Sequence, residues 1–567
     1  MDLGVADPAR LPVVLLWHMH QPQYRDAVSG EYVLPWTYLH AIKDYTDMAA
    51  HLEDNPAARA VVNFTPVLIE QLEEIAAGVD AHLTRGTGLS DPVLALLSSA
   101  PVPAASAPRL QLLRACLRAQ RVNMIERFPA YAELAELAGV LGTPERIAYA
   151  SDDYLHDLAV WYHLAWLGET VRRDSPLAEA LAHRGRDFSA TERRELLALI
   201  GALVRDVIPR YRRLAAGGQC ELSVTPYGHP IIPLLVDFGS AREALPATPL
   251  PAHPDYPGGA ERAAWHVAEA VRVFTRAFGE PPVGCWPAEG AISTATLALL
   301  AAHGFAWTAS GEGVLRGSLQ SAGQAAVGPL AADRPYRFAD TQLNCFFRND
   351  ELSDRIGFIY ATWHGDDAAH NLVNELTRLA DLYAGGGHAV LIALDGENAW
   401  EHYPFNGYYF LHALYGQLTS HPRLELTTLK ECGARGLNPQ PLARVRAGSW
   451  VQGTLATWMG DADKNRAWDL LCDAKQAFDQ VMLGTTLDPQ ARAAAGRQLA
   501  LCESSDWFWW FGDYNPAEAV SQFDELYRRQ LAALYARLNL PAPAALARPL
   551  SSGGGSPEHG GAMRRAS

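Results

Sequence analysis

The sequence predicts an α/β protein: an incomplete TIM-like (β/α)7 barrel with a long helical insertion, followed by a C-terminal helical domain. Three observations predict it. Short apolar runs with strand character recur between helical stretches from residue 11 to residue 394, and seven of them alternate with helices. From about residue 67 to residue 217 the apolar positions fall three and four apart, the period of an amphipathic helix. Beyond about residue 437 the alternation stops and helical stretches follow one another. The expected units are residues 1–436 for the barrel with its insertion at about 67–217, 437–545 for a helical domain completing the cleft, and 546–567 for a disordered tail.

Taken in order, residues 11–18 form the first strand and run into Met19, His20, Gln21 and Pro22. Residues 60–64 form the second, ended by Thr65 and Pro66. The insertion follows, rich in Ala, Leu, Glu and Arg and interrupted by proline-rich turns near 99–108. Residues 218–225 make the third strand, which leads to Tyr227, Gly228 and His229. A helix over 259–278 precedes the fourth strand, 282–286, and a helix over 293–303 precedes the fifth, 305–309. Residues 356–360 are expected as the sixth strand and 388–394 as the seventh, while 343–347 is a further candidate without a place in this order. Helices at 464–482, 489–501 and 516–538 and an aromatic run at 506–511 complete the chain, and the Gly/Ser-rich stretch from 551 is expected to be disordered.

Composition narrows the function. The 567 residues can bury a large core. A net charge of -16, with no basic run longer than an Arg pair, argues against nucleic acid and anionic membrane as partners. Seven scattered cysteines, with no CxxC pair, read as reduced, buried thiols of a cytoplasmic protein. The start of the chain lacks the basic and apolar regions of a signal peptide, and no apolar run approaches the roughly 18 residues a membrane span requires. Nucleophile-elbow, Walker A and Rossmann fingerprints are absent in the context they need.

The chemistry points to paired carboxylates. Glu289 comes three residues after Trp286, where the fourth strand gives way to a loop, and Asp395-Gly396-Glu397 follows the seventh. Two carboxylates on two barrel-strand ends are what a glycosidase needs, one to attack the sugar and one to protonate the leaving oxygen. Strand alternation puts Asp395 and Glu397 on one side, so spacing leaves both open as the partner of Glu289. His18 and His20 share a face at the end of the first strand, and His229 lies just past the third. They could hydrogen-bond a polar ligand, hold structure, or bind zinc. Fifteen tryptophans suit sugar stacking; Trp17, Trp36, Trp286, Trp307, Trp363, Trp400 and Trp458 lie at strand ends or in loops, and two or three are expected to line a sugar cleft.

His20-Gln21-Pro22, Gly218-Gln219-Cys220-Glu221-Leu222, Trp286-Pro287-Ala288-Glu289 and Leu394-Asp395-Gly396-Glu397 resemble, in that order, the motifs of glycoside hydrolase family 57. Gly448-Ser449-Trp450, Thr457-Trp458-Met459-Gly460 and Ser505-Asp506-Trp507-Phe508-Trp509-Trp510 resemble the amylopullulanase-type branch, so the likeness spans most of residues 11–540. The resemblance implies a (β/α)7 barrel with a helical domain, acting on α-glucans with retention of configuration and needing no cofactor. It implies Glu289 as nucleophile and Asp395 as general acid/base. It implies His20, Glu221 and His229 as sugar contacts in the −1 subsite; Glu397, which could instead orient Asp395 or bind a hydroxyl, and Asp461 are further candidates for substrate binding. Trp286, Trp400 and Trp458 are implied as stacking or shaping residues. Gly290 and Gly396 flank the pair where relatives vary, and Cys220 stands where Leu or Ile is expected. The expected activity is an amylase- or pullulanase-type hydrolase of glycogen, starch or maltodextrin. A branching enzyme or 4-α-glucanotransferase is the alternative on the same scaffold. Outside that scaffold stand a zinc-dependent carbohydrate hydrolase or deacetylase and an inactive glucan-binding protein.

Overall fold

The computed structural model describes residues 10–323, 331–383 and 386–555. Seven strands form its centre: β1 (Leu11–Met19), β2 (Ala60–Phe64), β3 (Cys220–Val224), β4 (Gly284–Cys285), β5 (Trp307–Gly311), β6 (Asn344–Arg348) and β7 (Val390–Asp395). Each pairs in parallel with the next, and β7 pairs back onto β1, so the sheet closes into a barrel. All nine residues of β1 are buried, as a continuous apolar run covered on both faces should be.

Register places a polar layer at the C-terminal mouth. His18 pairs with Asn63 and Asp395, and Asn63 with Ser223. One layer below, Leu16 pairs with Val61 and Ala393, and Val61 with Glu221. Trp286, Trp307, Phe346 and Leu391 fill the interior with them. The polar layer therefore rests on a mostly apolar floor that includes the Glu221 carboxylate.

The sixth strand is not the expected one. Residues 356–360 lie in the helical turns Arg355–Ile359 and Tyr360–Thr362, with Ile356 and Tyr360 buried. The unplaced candidate takes the position instead: Asn344–Arg348 pairs with β5 along its length and with β7 through Arg348 and Leu391. A five-residue apolar run has too few positions to separate a strand from a buried helical turn. Outside the barrel, Tyr336–Phe338 pairs antiparallel with β6 and in parallel with Gln440–Leu442, while Leu424–Leu426 flanks β1.

The chain between β2 and β3 is helical, its two longest helices being Pro66–Arg85 and Ala190–Ala216. They approach so closely that a Cβ on Gly201 would stand 2.5 Å from Val79. The C-terminal helices Ala462–Leu483, Pro489–Cys502 and Ala517–Arg537 pack together, with Tyr527 Oη donating to the Ala467 carbonyl at 2.9 Å. Residues 546–555, expected to belong to the tail, pack against this unit. Leu546 and Leu550 are buried, Asp524 Oδ1 accepts from the Leu550 amide at 2.7 Å, and the Asn515 carbonyl accepts from Gly554 and Gly555. Two buried leucines in a Pro/Ala/Gly-rich stretch supply the anchor that composition conceals. Residues 556–567 lie outside the described residues. All seven cysteines are buried and free, and among the described residues no helix is long and apolar enough to cross a membrane.

Candidate active site

β4 ends at Cys285 and the chain turns sharply. Trp286, whose amide donates to Val224 at 3.0 Å, is buried in the barrel interior, and Glu289 follows in the turn Ala288–Gly290 with φ 57° and ψ 23°. This left-handed backbone is sparsely populated by residues with a Cβ and persists where its surroundings hold it. Trp450 does so from the C-terminal region: its amide donates to the Glu289 carbonyl at 3.1 Å and its Nε1 to Glu289 Oε2 at 2.9 Å. Trp450 itself lies edge-on to Trp286, centroids 5.1 Å apart, and the Arg348 guanidinium sits 5.6 Å from its ring centre.

Asp395 is the last residue of β7. The turn beyond it hugs β1: the Gly396 amide donates to the His18 carbonyl at 2.7 Å, and a Cβ on Gly396 would stand 2.2 Å from Met19 Sδ. Only glycine fits there. Asp395 Oδ2 accepts from Asn398 Nδ2 at 2.8 Å. Burial pushes the Asp395 carboxyl above its ordinary range, against the Asn398 bond and the charges of His20 and Arg348. Glu397, 2% exposed, accepts through Oε1 from the His20 amide at 3.2 Å and Gln21 Nε2 at 3.1 Å. Burial, with neighbouring Asp395 and Asp44, pushes its carboxyl well above the usual range.

Glu397→Gln therefore carries a signed stability prediction. Because the folded-state pKa is raised, Glu397 lends its full stability below the unfolded-state value and loses it as pH climbs through the folded one. Each tenfold rise in proton affinity is worth about 1.4 kcal/mol. The uncharged variant should match wild type in denaturant unfolding near pH 4 and exceed it at pH 8. An advantage that grows toward low pH instead would mean that Glu397 is charged in the fold.

The histidines form one chain. His18 Nδ1 lies 2.7 Å from Asn63 Oδ1, His18 Nε2 3.2 Å from His229 Nε2, and His229 Nδ1 2.8 Å from Ser505 Oγ. A carboxamide oxygen only accepts, so His18 donates from Nδ1, His229 donates to His18, and the Ser505 hydroxyl donates to His229. Each ring needs only one proton. Accordingly burial, with the neighbouring His20, pushes His18 down to about 3, and His229 is lowered for the same reasons with His18 added. His20 stacks on His229 with centroids 3.8 Å apart and reaches Asp506 through Nε2 at 3.0 Å and Thr65 through Nδ1 at 3.1 Å. His20, His229 and Asp506 offer ligand atoms within 4.8 Å of one another. A metal binds in the plane of each imidazole, whereas these rings lie face to face at 15° with every nitrogen already bonded. The arrangement fits hydrogen bonding better than zinc.

Around these groups lies a cleft. Glu289, Asp395, Glu397, His18, His20 and Asp506 supply its polar lining; Tyr24, Phe358, Trp450, Val451, Trp509 and Trp510 supply its apolar walls. The barrel order puts Glu289 and Asp395 on strands three steps apart one way round and four the other, facing across the mouth. Several residues implied as sugar contacts lie elsewhere. Glu221 is in the interior layer, accepting from Trp307 Nε1 at 2.6 Å and the Lys430 amide at 2.9 Å. Asp461 caps the helix Ala462–Leu483 through its Oδ1, at 2.8 Å from the Asp463 amide. Trp286, Trp400 and Trp458 are all fully buried; Trp400 donates to the Gly396 carbonyl at 2.9 Å, and Trp458 packs 6.0 Å from Trp509. They shape the wall from behind. The tryptophans that reach the cleft are Trp450, Trp509 and Trp510, all within quoted motifs. Arg348 also lines it, at the end of the strand that had no place, and no sequence signal singles it out.

The sequence matches the family model described as Glycosyl hydrolase family 57 over residues 14–443. The fold is similar to a family 57 branching enzyme from Thermococcus kodakaraensis, with a TM-score of 0.56, 15% identity and 93% of this chain and 89% of that one covered. It is similar also to a branching enzyme of this type from Pyrococcus horikoshii (0.56, 16%, 95% and 96%) and to the α-amylase AmyC from Thermotoga maritima (0.55, 14%, 94% and 94%). Identities this low show a shared fold. A sequence search of curated proteins returns no match.

Proposed function

The chain belongs to glycosyl hydrolase family 57, and we propose that it cleaves α-glucans with retention of configuration through Glu289 and Asp395. One observation carries this reading: both carboxylates open into a single aromatic-walled cleft from opposite sides of the barrel mouth. Glu289 attacks the anomeric carbon to form a covalent glycosyl-enzyme, and Asp395 protonates the departing oxygen, then serves as base for the acceptor. A half-buried Asp395 of raised proton affinity suits the acid, and the Trp450 N–H aimed at Glu289 Oε2 orients the nucleophile. His20 and Asp506 are assigned to sugar hydroxyls, and Trp450, Trp509 and Trp510 to the C–H faces of the rings; His229, buried with both ring nitrogens bonded to His18 and Ser505, holds His18 from behind the cleft instead of meeting the sugar. In this reading residues 437–545 act with the barrel, since Trp450, Asp506, Trp509 and Trp510 come from them.

Water as acceptor gives hydrolysis of the amylase or pullulanase type. The apolar walls formed by Phe358, Leu394, Trp450, Val451, Trp509 and Trp510 favour a second reading, in which a sugar hydroxyl displaces water and the product is a transferred or branched glucan. Product profiles from maltoheptaose, pullulan, amylose and glycogen, with and without EDTA, decide between them. Falling chain length with new reducing ends supports hydrolysis, and new α-1,6 branches without them support transfer. Turnover lost with EDTA but retained in Glu289→Gln would overturn both and restore the zinc chemistry.

A further inference from the structure

We propose that Glu503, which is outside the cleft, is a positioning residue that sets His229 and Asp506 from behind. Glu503 ends the helix Pro489–Cys502 and lies fully buried between it and the helix Gly259–Phe278. Its carboxylate bonds only to the barrel side: Tyr256 Oη donates to Oε1 at 2.5 Å, Arg262 Nε to Oε1 at 2.8 Å, Arg262 Nη2 to Oε2 at 2.6 Å, and His266 Nε2 lies 2.7 Å from Oε2. His266 Nδ1 in turn bonds the Tyr227 carbonyl, and the Tyr227 amide donates to the His266 carbonyl at 2.9 Å. Since that carbonyl only accepts, His266 donates from Nδ1, and a second proton must lie between Nε2 and Glu503. Burial alone would raise the Glu503 carboxyl; the Arg262 charge and the His266 bond outweigh it and hold it down to about 2.

The cluster thereby clamps two loops together. One is the Tyr227–Gly228–His229 turn, so tight that a Cβ on Gly228 would stand 2.6 Å from the Ala500 carbonyl. The other is the stretch just after Glu503, where the Ser505 amide donates to the His229 carbonyl at 2.9 Å, Ser505 Oγ meets His229 Nδ1, and Ser504 Oγ donates to Asp506 Oδ2 at 2.5 Å. Asp506 is three residues from Glu503 and holds His20; His229 is two residues from Tyr227 and holds His18. Glu503 touches no cleft atom, yet Asp506 in the cleft wall and His229, which backs the cleft residue His18, both hang from it. A buried ion pair by itself is weak evidence for stability, so the test must separate positioning from folding.

The inference rests on the proposed α-glucan activity for its kinetic arm and is independent of it in its spectroscopic arm. Kinetics of Glu503→Gln, Asp506→Asn and the double variant on maltoheptaose form a cycle. Glu503→Gln should lower kcat by about 30-fold with KM changed less than about threefold, and its effect should shrink to a few-fold in the Asp506→Asn background. Losses that multiply would overturn the inference, as a purely structural role predicts independent effects. Should Glu503→Gln fail to fold, Tyr256→Phe removes one bond to Glu503, keeps the charge pair, and enters the same cycle. Independently of turnover, the imidazole NMR signals of His20 and His229 should move in Glu503→Gln or Tyr256→Phe; unmoved signals overturn the inference even in an active enzyme. An inactive wild type with moved signals leaves positioning intact and sinks the α-glucan reading alone.

Discussion

Glu289→Gln is expected to lower turnover of maltoheptaose by about 10⁴-fold or more, the scale on which removing a covalent nucleophile acts. Folding should be spared, because the change preserves the features that hold the residue. Gln has the same shape, the carboxamide oxygen can still accept from Trp450 Nε1, and the φ of 57° is imposed through backbone contacts. The variant should bind maltoheptaose with little loss, as the sugar-facing histidines and tryptophans are untouched. In Glu289→Ala, azide can enter the vacated space and should rescue cleavage of an α-glucosyl fluoride. The product would be the β-glucosyl azide, because a single displacement inverts the anomeric centre that two displacements retain. Residual activity within tenfold of wild type, or an α-azide product, would remove Glu289 from the reaction.

The barrel was legible where long apolar runs recur. β1 and β7 are nearly continuous in Val, Ile, Leu and Ala, so their burial on both faces could be read from composition. β6 was hidden because Asn344 and Arg348 bracket three apolar residues, while the decoy at 356–360 has a full apolar run that buries as helical turns. The carboxylates Glu289 and Asp395 stood out because each closes a strand. Glu221 also sits in a strand and in a motif, but two residues before the mouth layer marked by Ser223, and that depth is set by register rather than spacing. The tryptophans show the same limit. Trp286, Trp400 and Trp458 sit near strand ends or in loops, yet all three are buried behind the wall, and the faces in the cleft come from 450, 509 and 510. Asp506 and Ser505, more than 480 residues from His20 in the case of Asp506, reach the site only through tertiary packing. The C-terminal motif was visible; what it touches was not.

Asp395→Asn is expected to cost about 10²–10⁴-fold on natural glucans, the usual contribution of a positioned acid. The size of the loss should follow the leaving group. A sugar hydroxyl needs its proton and should suffer the full loss, whereas a dinitrophenyl leaving group departs unaided and should show little loss in the glycosylation step. The pH profile supplies the sign. Asp395 acts as an acid only while protonated, so kcat/KM should fall on the alkaline side as its carboxyl ionises, and that limb should vanish in Asp395→Asn. Burial sets the limb high, and the Asn398 bond lowers it by stabilising the charged form. Asn398→Ala should therefore move the limb to higher pH. Glu397 provides the decisive contrast, because its carboxyl is also raised and also lines the cleft. If Glu397 were the acid, Asp395→Asn would keep the alkaline limb and Glu397→Gln would abolish it. Glu397 accepts from the His20 amide and Gln21 through one oxygen, which ties it to the loop after β1, whereas Asp395 is held through Asn398, a residue of its own turn. The proton that leaves with the sugar oxygen should therefore come from Asp395.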